Sequence, residues 1–148
     1  MKRINEYKKL FNAESEMTLK SLKTSYRSLV KEWHPDKFQQ GDDKAIEAEQ
    51  MSRKIIDGYH FLVSMAPETI AANKEEYTTT ISSPIMDWKH KGLLLEVTFL
   101  DGNTYEYFGV NKALYIKFSQ SDKQSRFGKR SVFNSFPFRK IKKSEVEA

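Results

Sequence analysis

The sequence predicts an α+β chain of two domains: an all-helical first part, then a small antiparallel sheet with a helix. Three observations carry this. Apolar residues recur at helical steps of three and four through Leu62. From Leu93 they alternate at a period of two, and Asp101-Gly102 then gives a strong hairpin signal. Pro67 interrupts the chain between the two periods. The expected domains are residues 1–66 and 78–148, joined by a helical linker over 67–77.

The elements follow in order. Tyr7, Leu10 and Phe11 mark a short first helix. Thr18 is placed to cap the second. Leu19, Leu22, Tyr26, Leu29, Val30 and Trp33 then fall on one helical face. Pro35 closes this helix, because a proline disfavours helical geometry in the residue before it. A polar loop, Gln39-Gln40-Gly41-Asp42-Asp43, leads to a third helix with Ala48, Met51, Ile55, Tyr59 and Leu62 as its core stripe. Pro67 to Tyr77 reads as a short helix with proline in its first turn. The second half offers strands over Leu93–Phe99 and Thr104–Phe108, a third within Ile81–Lys89, and a helix over Lys112–Ser119. The remainder, Lys123 to Lys143, reads as a basic, aromatic tail.

Composition narrows the function. The 148 residues include no cysteine, which rules out disulfides, thiol catalysis and thiolate zinc sites. His34, His60 and His90 are far apart and lack ligand spacing, so no metal and no cofactor are expected. His60 lies at the edge of a core stripe and reads as structural. Neither a phosphate-binding glycine loop nor a nucleophile elbow is present, so the chain does not read as an enzyme. Lys2 and Arg3 precede no apolar run, and no stretch is long enough to span a membrane. The expectation is a soluble, cytoplasmic monomer. Net charge is +5 and uneven: +2 over residues 1–66, −2 over 67–77 and +5 over 78–148. Such an excess suggests an acidic partner or nucleic acid.

On a helical wheel Lys20, Lys23, Arg27 and Lys31 share one stripe, which His34 continues. A positive rail therefore runs into the turn His34-Pro35-Asp36. Each piece alone has a plain reading: a solvated face, and a helix stop with a capping aspartate. The combination of cap, core spacing, rail, "EWHPDKF" and a helix ending "MSRKIIDGYHFLVS" resembles the J-domain of DnaJ-type co-chaperones over roughly residues 4–66. The resemblance implies two antiparallel helices packed as a hairpin. It also implies docking on a DnaK-type heat-shock chaperone and stimulation of its ATP hydrolysis, with no chemistry done by this chain. By position, Tyr26, Arg27, His34, Pro35, Asp36 and Lys37 match the family's contact region, and Lys20, Lys23 and Lys31 join them on rail geometry. Tyr26 also lies in the apolar stripe, so packing and contact are both open for it. The glycine-rich linker and cysteine-rich module of full-length DnaJ are absent, and "APETIAANKEEY" stands where the family has a short fourth helix.

In the second half, "LLLEVTFLDGNTYEYFGV" followed by a helix and "RFGKRSVFNSFPFRKI" resembles the KTSC domain, named for the carboxyl-terminal region of some lysyl-tRNA synthetases. The likeness covers roughly residues 79–141 and includes the central Tyr105-Glu106-Tyr107. Gly128-Lys129 replaces the family's aromatic–Asn pair. Independently, Lys123 to Lys143 holds eight Lys or Arg and no acid, interleaved with Phe127, Phe133, Phe136 and Phe138. Two readings stand. The tyrosines and phenylalanines form the core of a very small domain, which is the favoured reading, or they stack on bases while Lys123, Arg126, Lys129 and Arg130 contact phosphates. The expectation is thus a co-chaperone whose second domain targets it or binds clients. The alternative is an RNA-associated protein, with an acidic protein as a further possible partner for the basic residues and the strand edge as a place for an extended peptide to pair.

Overall fold

The computed structural model describes residues 2–14, 17–38 and 43–141. Residues 39–42 of the expected polar loop and Lys142 and Lys143 of the expected tail lie outside the described residues. The class is α+β, with helices first and a four-stranded antiparallel sheet in the second part. The chain divides after Thr69 into two compact units.

The first unit contains α1 (Lys2–Leu10), α2 (Leu19–Trp33), a 3₁₀ turn (Pro35–Lys37) and α3 (Asp43–Met65). Thr18 caps α2 as expected. Its Oγ1 accepts the Ser21 N–H at 3.1 Å, and Ser21 Oγ accepts the Thr18 N–H at 3.1 Å. This is a reciprocal capping box with serine in place of the usual Glu or Gln. A further free amide of the first turn, that of Leu19, donates to Glu68 Oε2 at 2.9 Å. A carboxylate there also meets the positive end of the helix dipole.

Helices α2 and α3 run antiparallel. Tyr26 stacks on Tyr59 with ring centroids 4.3 Å apart, while Ser52 Oγ donates to the Trp33 carbonyl at 3.3 Å. Seven residues forward on α2 are thus matched by seven residues back on α3. Leu22, Ala48, Ile55 and Leu62 are fully buried between them. Sequence periodicity passed over Gly58, which lets α1 approach closely: a Cβ at Gly58 would stand 2.8 Å from Tyr7 Cδ1.

The split after Thr69 falls inside a short helix, α4 (Pro67–Ala72), which is followed by α5 (Lys74–Ile81). The expected linker over 67–77 is therefore not a separate piece. Helix α5 runs across its end at residue 77, and Tyr77 and Ile81 belong to the core of the second unit. That unit continues with β1 (Ile85–Lys91), β2 (Leu94–Phe99), β3 (Thr104–Phe108), α6 (Lys112–Ser119), α7 (Gln124–Ser131) and β4 (Phe138–Ile141). The strands lie in the order β1-β2-β3-β4, each antiparallel to the next.

The Asp101-Gly102 turn joins β2 to β3, with Gly102 at a φ of +93° that a side chain would strain. Asp101 also accepts the Thr80 hydroxyl at 2.7 Å, which ties α5 to this turn. Leu95, Val97, Phe99, Tyr105 and Tyr107 supply the core face of the sheet, and all five are buried. The expected third strand is β1, but it begins at Ile85, because Ile81 closes α5 instead. The expected tail over Lys123–Lys143 is α7 and β4 as far as residue 141. Among the described residues no helix is long and apolar enough to cross a membrane.

Candidate functional site

Proline dictates the geometry at the end of α2. Pro35 pushes His34 out of helical conformation, to φ −61° and ψ 132°, so α2 stops at Trp33. The chain then tightens into the 3₁₀ turn, with the Lys37 N–H donating to the His34 carbonyl at 3.0 Å. The Asp36 N–H donates to His34 Nδ1 at 3.2 Å, and Asp36 Oδ2 lies 3.5 Å from the same nitrogen. In the neutral ring this bond makes Nδ1 the acceptor and leaves the proton on Nε2. The turn thus fixes the imidazole through its own backbone. His34 remains half exposed, at 50% of its side-chain surface, and Asp36 is 91% exposed.

The rail is in place. Lys20, Lys23, Arg27 and Lys31 are exposed, as is Lys37 beyond the turn. Tyr26 is half-buried against Tyr59, so its ring is committed to packing on one side. Trp33 is half-buried and stacks on Phe38 at 6.3 Å. Beside the imidazole, Tyr26, Val30, Ser52, Ile55 and Ile56 form an apolar groove between α2 and α3. Periodicity had not singled out Ile56, which lies off the core stripe and is 44% exposed.

The second set of predicted residues divides. Tyr105 and Tyr107 are 2% and 0% exposed, so neither ring offers a face to a base; the stacking role read from the Tyr-x-Tyr motif is corrected. Their side chains join a closed aromatic cluster. Tyr77 donates its hydroxyl to the Phe133 carbonyl, and the Tyr107 hydroxyl lies 2.9 Å from that of Tyr77. With Tyr77 donating onward, Tyr107 is the donor in the shared bond. Burial pushes the Tyr105 hydroxyl up to about 12 and holds those of Tyr77 and Tyr107 higher still. All three stay protonated near neutral pH, which removes them as general bases. Phe133 is fully buried, and Phe127, Phe136 and Phe138 are partly so. Arg139 is buried too, its Nη1 donating to Glu106 Oε1 at 2.7 Å. By contrast Lys123, Arg126, Lys129 and Arg130 are exposed, Lys123 just before α7 and the other three on it.

With this geometry established, comparison with known families identifies one segment. Residues 82–136 match the KTSC domain. The matched segment runs from the end of α5 through β1, β2, β3, α6 and α7. Tyr77 of α5 and all of β4 lie outside it, yet both complete the core and sheet of the second unit. No curated protein matches the chain.

Proposed function

We propose that residues 2–69 act as a J-domain that docks on a DnaK-type chaperone and stimulates its ATP hydrolysis, with the KTSC unit serving as a targeting or client-binding module. The observation that carries this reading is the His34-Pro35-Asp36 turn, with His34 and Asp36 exposed, at the end of a solvent-facing cationic rail on an antiparallel helical hairpin. The chain is then an activator of a partner's ATPase and has no reaction of its own. Stimulation requires that the turn bind the hydrolysis-competent arrangement of the chaperone more tightly than its resting arrangement, since only differential affinity shifts a population. The rail steers encounter with an acidic surface and makes it salt-sensitive. The groove beside His34 offers an apolar contact next to the charged one.

Single-turnover ATP hydrolysis by a DnaK-type chaperone, measured with and without the full chain, tests this. His34→Gln keeps a polar side chain but loses the ring that Asp36 holds. We expect stimulation to fall by tenfold or more, on the order of a 1–3 kcal/mol coupling. Undiminished stimulation by His34→Gln would refute the reading.

A further inference from the structure

A second binding surface lies on α7. Gly128 is buried, and a Cβ at that position would stand 2.4 Å from Phe133 Cζ, so this helix meets the core through its glycine. At about 100° per residue, Arg126 and Arg130 lie about 160° from that contact and Lys129 about 100°, while Lys123 precedes the helix as its N-cap. All four are exposed. None pairs with a carboxylate among the described residues; the hydrogen bond of Lys129 Nζ goes to Ser82 Oγ at 3.1 Å. The Arg130 guanidinium lies over the Phe127 ring at 5.7 Å, which holds it alongside Arg126. Asp122 borders the same surface and lowers its charge by one.

We propose that this face of α7 binds the phosphate backbone of double-stranded nucleic acid, reading charge and not sequence. Two observations select the duplex. The aromatic rings that would stack on single-stranded bases are in the core: Tyr105, Tyr107 and Phe133 are enclosed. Phe127, which borders this surface, is half-buried against Phe118 and lies under the Arg130 guanidinium, so it offers no open face for the base stacking that single-strand binders use. The second is charge density. The cationic row from Lys123 to Arg130 is about 10 Å long. Over that length a duplex presents about six phosphate charges and a single strand about three.

The test uses the full chain and fluorescence anisotropy. The probes are mixed-sequence RNA and DNA duplexes in two unrelated sequences, a single strand of equal length, and poly-glutamate. Three to four phosphate contacts predict a loss of affinity of about 40- to 150-fold between 50 and 200 mM salt. Equal binding to unrelated duplexes, tighter than to the single strand, is expected; the RNA and DNA arms say which duplex is preferred. The triple change Arg126→Gln, Lys129→Gln and Arg130→Gln should flatten the salt dependence and weaken low-salt binding by at least about tenfold, with thermal melting unchanged. The wild-type slope needs no variant. Absence of binding at 50 mM salt, preference for the single strand or for poly-glutamate, or undiminished binding by the folded triple variant would each overturn the proposal. Chaperone stimulation is read separately, so the two assays fail independently.

Discussion

His34 and Tyr107 each stand in a recognisable short motif, and the two units treat them in opposite ways. In the first unit the motif is in solvent: His34 is half exposed, Asp36 almost wholly so, and a proline-set turn keeps both off the core. In the second the motif is sealed, with Tyr105 and Tyr107 packed among Tyr77, Phe133 and Phe138. The difference follows from backbone geometry. A side chain on a tight turn past a helix end has few neighbours to pack against. Two side chains two apart on a strand share one face, and in a small unit that face is needed for the core. Spacing alone therefore does not decide whether an aromatic motif is a surface or an interior. The type of element that bears it does.

Three perturbations sharpen this contrast. The largest is alkaline. Unfolded tyrosine ionises near its ordinary value of about 10, whereas the folded hydroxyls of Tyr77, Tyr105 and Tyr107 are all raised by burial. Their contribution is complete below pH 10 and is lost as pH rises through the folded values, at up to about 1.4 kcal/mol per pH unit for each hydroxyl. Melts at stepped pH should show the second unit losing stability steeply from pH 10 to 12, and Tyr107→Phe should shallow that slope. A second unit indifferent to this range would mean that its tyrosines are not sealed.

Next is the buried ion pair. Arg139→Met breaks the buried pair with Glu106 and should cost about 3–5 kcal/mol in urea unfolding. Adding Glu106→Leu should restore most of the loss. A smaller effect is expected at the start of the hairpin. Thr18→Ala removes the cap on Ser21 and should cost about 1 kcal/mol in the first unit, with the second unit's transition unmoved. His34→Gln should move neither transition appreciably, because the ring is exposed and its bonds are local.

Local chemistry was legible in the sequence. Thr18 as a cap, Pro35 as a stop and Asp101-Gly102 as a hairpin turn each depend on a few neighbouring residues, and each is where expected. Helices α2 and α3 follow from stripes long enough to count, whereas their antiparallel pairing was expected from the J-domain resemblance. Other features were not legible, for physical reasons. Helix α7 has Phe127 as its sole large apolar side chain and meets the core through Gly128, so it has no stripe to detect. Strand β4 is four residues long and exists because β3 pairs with it from about 35 residues away. Arg139 looked like part of a cationic tail because its partner, Glu106, is equally distant in sequence. For the candidate sites, the His-Pro-Asp turn and rail were readable residue by residue, as were the exposed cations of α7. Burial of the tyrosines required the fold.

The position of α5 has a practical consequence. The change of hydropathic period invites a cut near residue 78, which would split this helix and discard Tyr77, whose hydroxyl bridges Tyr107 and the Phe133 carbonyl. The transplantable unit is longer at both ends than the segment that matches the KTSC domain: it starts near Ile70 and must keep its last strand through Ile141. Anyone grafting it onto another protein should carry those extra residues along.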